Sequence, residues 1–192
     1  MKQAITTFLT AILICASQLL HAQTFQKGDN VLSAGIGFGS TLGFVKGGSQ
    51  TPALSVNFER GAWEAGPGVI SIGGYIGYKS IKYSASSGSY TYSQTWKYSI
   101  VGARAAYHYT GLETDKVDLY GGLMLSYNIL RYKYQDNLGG SGGSVSGTGN
   151  YGSGAGFTGF VGGRYYFTPA IAAYAELGYG ISFLNAGISF KF

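Results

Sequence analysis

Cysteine and histidine are scarce in this chain of 192 residues. The only cysteine is Cys15, and the histidines are His21 and His108. A chain with one cysteine has no intrachain disulfide and no zinc-thiolate site. Since Cys15 lies in an N-terminal leader described below, the remainder of the chain has no cysteine nucleophile either.

Long apolar runs are also missing after the leader, which excludes a transmembrane helix of about 18 or more residues. Only 11% of the residues are charged and three are proline, whereas 33 are glycine, 17 tyrosine, 11 phenylalanine and two tryptophan. This composition is too apolar and aromatic for a disordered chain. It is also too often interrupted by glycine for a helical protein, which leaves the all-β class.

The first 22 residues are predicted to be a cleaved secretory signal peptide. Lys2 gives a positive start, residues 8–14 form the apolar core, and Ala22 is a small residue before the cleavage position. A lipoprotein signal at Cys15 is not favoured, because Ile14 is too large for the position before a lipidated cysteine. Residues 23–192 then form a single β-barrel domain.

The stretch Val117–Gln135 alternates like a β-strand and then reverses its faces. Its odd positions up to Ile129 are mostly apolar and its even positions mostly small or polar, as expected when successive side chains point to opposite sides. From there the odd positions become polar (Arg131, Lys133 and Gln135) and the even positions become apolar or aromatic (Leu130, Tyr132 and Tyr134). A strand that leaves a bilayer changes in this way, because its outer surface passes from lipid to water.

The same alternation recurs in eight segments, and the third, fourth and fifth all reverse their faces. The connections are short near 61–68, 111–116 and 168–170 and longer near 40–51 and 137–154, with a further loop near 85–89. Short turns on one side and long loops on the other are typical of outer-membrane barrels. We predict an eight-stranded antiparallel up-and-down transmembrane β-barrel, with strands three to five extended above the membrane.

The C-terminal residues carry a resemblance to a known family. The segment 186–192 (AGISFKF) alternates and ends in Phe190 and Phe192, and it is preceded by FTPAIAAYAELGYG at 167–180. Together these segments resemble the small OmpA/OmpX-type outer-membrane barrels of Gram-negative bacteria. The resemblance implies that both termini lie in the periplasm and that Phe190 and Phe192 belong to the signal read by the barrel assembly machinery. It covers the barrel alone, without a peptidoglycan-binding domain.

Strand alternation places a charged cluster inside the predicted barrel. Arg104, Arg164 and Glu176 fall on inner faces, and Glu59 is expected near the periplasmic rim. Because eight strands leave an interior just wide enough for side chains, we expect these groups to plug the lumen by ion pairing. A gate or proton path is the alternative interpretation.

The turn at 168–170 predicts the pairing within this cluster. If the turn has three residues, Phe167 pairs with Ile171, and Arg164 lies opposite Tyr174 and diagonal to Glu176. A diagonal neighbour is within reach of two long side chains, so an Arg164–Glu176 ion pair is expected.

The predicted extracellular segments are basic. They contain Lys46, Lys79, Lys82, Lys97, Arg131 and Lys133, with Asp136 as the only acidic residue. We expect Lys82, Lys97, Arg131 and Lys133 to contact lipopolysaccharide phosphates through charge-assisted hydrogen bonds. Ordinary solvated charge is the alternative, and an exported protein is not expected to bind nucleic acid.

Aromatic residues are frequent on the predicted inner face of the extended strands. They are interpreted as the core of that sheet, and a platform for a binding partner is the alternative. These residues are Tyr83, Tyr90, Tyr92, Trp96, Tyr98, Tyr132 and Tyr134.

Catalysis and cofactor binding have little support in the sequence. His108 is the only histidine beyond the leader, and the GxGxxG match at 154–159 is followed by a strand pattern rather than a helix. Glu113, Asp115 and Asp118 are interpreted as an ordinary acidic turn rather than a calcium site. No metal or cofactor is expected.

The predicted protein is therefore an integral outer-membrane barrel with a structural or surface-binding role and no enzymatic activity. Its expected partners are membrane lipid, lipopolysaccharide, the assembly machinery and an extracellular partner that the sequence does not name. A narrow channel for small or hydrophobic solutes is the alternative. A soluble secreted barrel with an internal ligand is disfavoured by the outward apolar faces.

Overall fold

The computed structural model describes residues 25–39, 49–88, 90–112, 114–136, 148–149 and 153–192. The predicted signal peptide lies outside these residues. The eight main strands are β1 Asn30–Phe38, β2 Ala53–Glu64, β3 Gly68–Ser87, β4 Tyr90–Tyr109, β5 Val117–Asp136, β6 Gly154–Tyr166, β7 Ile171–Gly178 and β8 Leu184–Lys191. Among the described residues there is no helix long and apolar enough to cross a membrane.

Each main strand pairs antiparallel with its neighbours in sequence, and the first pairs with the last. The seam between β1 and β8 runs from Val31 opposite Lys191 to Phe38 opposite Leu184. This pairing closes the sheet into an eight-stranded barrel, as predicted. A closed barrel removes the exposed sheet edges that would otherwise invite aggregation.

The barrel is apolar outside and mixed inside. On β5 the inward Met124 is 3% exposed, whereas the outward Leu125 is 66% exposed. The inner core includes large apolar side chains, among them Tyr75, Met124, Phe160 and Ile181. Strand alternation alone generates this division, since side chains two apart share a face.

Three strands continue well beyond the rest of the barrel. The strands β3, β4 and β5 have 20 residues each, against nine in β1 and eight in β7 and β8. At about 3.4 Å per residue they are roughly 65 Å long. We call the end of the barrel where they protrude the loop end, and the opposite end, with connections 65–67, 110–116 and 167–170, the turn end. Two short segments, Ser49–Gln50 and Thr148–Gly149, flank the protruding sheet on β3 and β5.

Two connections are shorter than the sequence predicted. The expected turn 61–68 was wrong in its bounds, because β2 continues to Glu64 through an irregularity between Gly61 and Trp63. Such a bulge lets a strand continue past residues that look like turn formers. The expected loop near 85–89 is a tight hairpin in which Ser87 pairs with Tyr90. Gly88 begins it with a φ of 62°, which a glycine adopts without strain.

Adjacent glycines of β3 provide a test of the packing. A Cβ at Gly73 would lie 1.8 Å from the backbone oxygen of Phe58, whereas one at Gly74 would have its nearest contact at 3.8 Å. We expect Gly73→Ala to destabilise the barrel by about 1–3 kcal/mol, as overpacking does, because backbone must move. Urea unfolding, followed by the mobility of unboiled protein on a gel, measures the change. Gly74→Ala is the matched control, and equal midpoints for the two variants would contradict this packing.

Candidate functional site

The lumen holds a cluster of buried charges supplied by five strands: Glu59 of β2, Arg104 of β4, Asp118 of β5, Arg164 of β6 and Glu176 of β7. Each is at most 6% exposed. We call these five residues the lumen cluster. The structure brings together the four residues chosen from the sequence and adds Asp118.

Glu59 lies at the centre of the lumen cluster and not at the rim. Its carboxylate is fully buried and contacts both arginines. Arg104 Nε lies 2.9 Å from Oε1 in an ion pair without hydrogen-bond geometry, and Arg164 Nη2 donates to Oε2. One carboxylate therefore joins two guanidinium groups from different strands.

The predicted ion pair between Arg164 and Glu176 was wrong, although the predicted register is correct. Arg164 does lie opposite Tyr174 on β7. Its guanidinium, however, binds Glu59 and Asp118, with 2.9 Å from Nη1 to Asp118 Oδ2. Glu176 is bound instead by Arg104, with 2.7 Å from Nη2 to Oε2. Asp118 is the direct cross-strand neighbour of Arg164, but the contacts of Arg164 with Glu59 and of Arg104 with Glu176 run across the lumen. Residue spacing within a hairpin cannot show the contacts across the lumen.

Aromatic rings complete the packing around the two arginines. The Arg104 guanidinium lies 3.9 Å from the centroid of the Phe160 ring, and that of Arg164 lies 4.5 Å from the centroid of Tyr120. Tyr120 also donates a hydrogen bond of 3.3 Å to Glu176 Oε2. Cation–π contacts of this kind strengthen when they are desolvated.

A polar chain that the sequence analysis did not anticipate lies towards the turn end. Ser71 Oγ is 3.0 Å from His108 Nε2, and His108 Nδ1 is 2.9 Å from Asp118 Oδ1. The order Ser–His–Asp is that of a nucleophilic triad. A nucleophile must reach its substrate, however, and Ser71 is only 1% exposed. Asp118 also serves Arg164, so the geometry supports a structural role.

Phe25 covers this polar chain from the turn end. Its ring stacks on His108 with centroids 3.9 Å apart and is fully buried. The segment that carries it is fixed to β2, because Gly28 N donates to Gly61 O and Gly61 N donates to Asp29 O. A Cβ at Gly61 would lie 2.2 Å from Gln26 O. The segment that begins with Phe25 is therefore held against β2, with the Phe25 ring covering His108.

The prediction that Asp118 belongs to an acidic turn with Glu113 and Asp115 was wrong. Its side chain is buried in the lumen, while Asp115 is exposed and Glu113 lies outside the described residues. A sequence signal existed: Asp118 shares its parity on β5 with the inward residues Tyr120 and Met124.

The basic residues of the protruding sheet fall on two different faces. Lys82, Lys97, Arg131 and Lys133 are exposed on the outer face, where Lys97 lies directly opposite Arg131. Lys79, grouped with them in the sequence analysis, is instead 4% exposed and lies on the inner face. Lys46 lies outside the described residues.

Removing the charge of Glu59 tests the lumen cluster. Glu59→Gln leaves two buried guanidinium groups without their shared carboxylate, and breaking a buried pair costs about 3–5 kcal/mol. We expect a correspondingly lower urea midpoint, measured by the mobility of unboiled protein on a gel. Glu64→Gln, at the exposed end of the same strand, is expected to leave the midpoint unchanged. An unchanged midpoint for Glu59→Gln would show that the cluster does not hold the barrel together.

Comparison with known proteins gives structural similarity only. No protein-family model and no curated protein matches the sequence. The structure is similar to that of Ail, the attachment invasion locus protein of Yersinia pestis, in complex with the heparin analogue sucrose octasulfate (13% identity, TM-score 0.49, covering 87% of this chain and 100% of Ail). It is also similar to the N-terminal β-barrel domain of Pseudomonas aeruginosa OprF (14% identity, TM-score 0.47, covering 87% of this chain and 98% of that domain). The strand number, the sequential antiparallel order and the closure between β1 and β8 are those of the small eight-stranded OmpA/OmpX-type outer-membrane barrels, the family that the sequence resembles.

Proposed function

We propose that this protein is an integral outer-membrane barrel with a structural or surface-binding role and a lumen plugged by side chains. The observation that carries the proposal is the inverted distribution of its surfaces. Charged residues fill the interior, whereas side chains such as Leu125, Phe157 and Val161 are at least 60% exposed on the outside. A soluble protein would bury this apolar surface, and a bilayer covers it without cost.

The C-terminal strand supports export to the outer membrane. Phe190 and Phe192 are 50% and 71% exposed on the outer face of the closing strand and its end. An assembly machinery that reads these side chains would find both on the side that meets lipid. With the predicted signal peptide 1–22, they support export across the inner membrane followed by insertion into the outer one.

The lumen contents support a plug rather than a pore. From the turn end, Phe25 and His108 are followed by the lumen cluster, then by Phe160 and Ile181, all at most 6% exposed. Ile181 belongs to the β7–β8 connection and enters the lumen from the loop end, where it packs in the same apolar cluster as Tyr75. Each end of the lumen thus holds a buried side chain from outside the eight strands, which supports the plug.

The outer face of the protruding sheet supports a contact with lipopolysaccharide. Lys97 and Arg131 are direct cross-strand neighbours, and Lys133 lies opposite Thr95, which itself lies opposite Lys82. Like charges placed directly opposite each other are destabilising unless something offsets them. In the proposed contact, phosphate groups of the surrounding outer leaflet supply the negative charge that offsets this repulsion. The four side chains form a band just above the apolar surface.

Replacing this band tests the lipopolysaccharide contact. We expect the combined variant Lys82→Gln, Lys97→Gln, Arg131→Gln and Lys133→Gln to retain several-fold less lipopolysaccharide on purification, since charge-assisted hydrogen bonds are lost. Lys27→Gln with Lys116→Gln, two exposed lysines of the turn end, is the control. The amount of lipopolysaccharide per folded protein is measured, and equal amounts in both variants would refute the contact.

Single-channel recording in a planar bilayer tests the plug. We expect no conductance from protein that migrates as a folded species before boiling. Reproducible small steps that change with Arg164→Ala or Glu176→Ala would contradict the plug and establish the narrow channel instead, because both side chains lie across the lumen.

A further inference from the structure

A groove of about 700 Å³ lies on the outer surface of the barrel, over β4. Two small residues of β4, Ala103 and Ala105, form its floor, and larger residues of the neighbouring strands form its sides, among them Phe58, Ile72, Leu123 and Leu125. All six residues are exposed on the outer face. The groove therefore belongs to the apolar surface that the proposed function places in lipid.

The strand register explains the position of the groove. Residues that lie side by side on the outer face form a row, and one row across β2 to β5 consists of Phe58, Gly74, Ala103 and Leu125. Its two central residues have little or no side chain, and a Cβ on Gly74 would have its nearest contact at 3.8 Å. In the next row towards the loop end all four side chains are larger: Val56, Ile76, Val101 and Tyr127. These side chains limit the groove on the side of the loop end.

Arg60 lines the groove on the side of the turn end. It is exposed on the outer face of β2, one outward position nearer the turn end than Phe58, and lies opposite Ile72. Among the described residues its guanidinium donates one hydrogen bond, of 3.3 Å from Nη1 to Asn30 Oδ1, and forms no ion pair. Its other N–H groups are thus available to a further acceptor.

Aromatic residues place Arg60 near one edge of the apolar surface. The next row towards the turn end contains Trp63, Ile70 and Tyr107, and Trp63 is 57% exposed. Girdles of aromatic residues mark the two interfaces of an outer-membrane barrel. Arg60 lies one row inside this girdle, or about 7 Å at normal strand rise. A long basic side chain at this depth can keep its charged end at the level of the lipid phosphates.

We propose that this groove binds one glycerophospholipid of the periplasmic leaflet, with an acyl chain over Ala103 and Ala105 and the phosphate on the Arg60 guanidinium. The proposal rests on the proposed function and on the orientation in which the turn end lies in the periplasm. Arginine binds phosphate oxygens through charge-assisted hydrogen bonds, which a zwitterionic or anionic phospholipid can accept. Lipopolysaccharide is disfavoured as the occupant, because the row of larger side chains separates the groove from the loop end.

Native mass spectrometry of folded protein released from an uncharged detergent tests the site. The probe is dioleoylphosphatidylglycerol, and dioleoylglycerol, which has the same chains without the phosphate, is its control. We expect one saturable adduct of the phospholipid and weaker binding of the control. Arg60→Gln is expected to weaken the adduct about fivefold or more, since a hydrogen bond to a charged group is lost. Arg60→Lys keeps the charge and is expected to bind more tightly than Arg60→Gln.

The groove itself is tested by filling it. Ala103→Leu places a larger side chain on the floor and is expected to weaken the adduct while Arg60 is intact. Ala175→Leu is the matched control, because Ala175 is exposed on the outer face of β7 and does not line the groove. Lys116→Gln, at an exposed lysine of the turn end, is the control for charge. The mobility of each variant before boiling verifies that it is folded.

The outcomes that would overturn the site are distinct from a failure of the proposed function. Absence of a saturable adduct, equal affinities for Ala103→Leu and Ala175→Leu, or equal affinities for Arg60→Gln and Lys116→Gln would overturn it, even for a barrel that inserts into bilayers. A protein dimer that Ala103→Leu abolishes would assign the groove to a second copy instead. Reduced lipopolysaccharide retention by Arg60→Gln would assign it to the opposite leaflet, whereas unchanged retention supports the periplasmic phospholipid.

Discussion

The bridge that Glu59 forms between Arg104 and Arg164 is the interaction on which the interior depends. The three residues come from β2, β4 and β6, strands that do not touch one another in the wall. A register slip of one residue would turn a whole strand inside out and carry its charged residue to the apolar surface. The bridge therefore penalises each such slip by a buried, unpaired charge. Strand alternation places the charges inside, and the charges in turn fix the alternation.

Glycine makes this crowded interior possible. At the seam Gly35 lies opposite Gly187, and a Cβ on Gly35 would lie 2.1 Å from the hydroxyl oxygen of Tyr174. A Cβ on Gly162 would similarly lie 2.7 Å from the Tyr120 hydroxyl. Large rings from one wall thus occupy space that small residues leave on another. The abundance of both glycine and tyrosine, unusual for a globular chain, follows from filling a narrow barrel with long side chains.

The sequence predicted the faces of strands better than the partners within the lumen. Alternation is local, so the inward positions of Arg104, Arg164 and Glu176 and the register of the 167–171 turn followed from residue order. Which residues meet across the lumen depends on the position of each strand around the barrel and on the height of each residue along the barrel axis. Neither quantity follows from the pattern of a single strand. Asp118 and Phe25 were missed for different reasons. Asp118 was assigned to its neighbouring acidic turn despite its inward parity, and Phe25 lies in a segment without strand periodicity.

The separation of charge along the barrel axis follows from the same alternation. Below the loop end, each buried cation meets a carboxylate, and the cluster contains three carboxylates beside two arginines and His108. At the loop end the described residues include five cations, Lys79, Lys82, Lys97, Arg131 and Lys133, against Asp136 as the only described acidic residue there. Charges that the protein does not balance itself must be balanced by its surroundings. Because β3 directs Lys79 inward and Lys82 outward, the positive charge of the loop end is divided between the inner and the outer face of the protruding sheet. Only the residues of the outer face are therefore placed for the proposed contact with lipopolysaccharide phosphates.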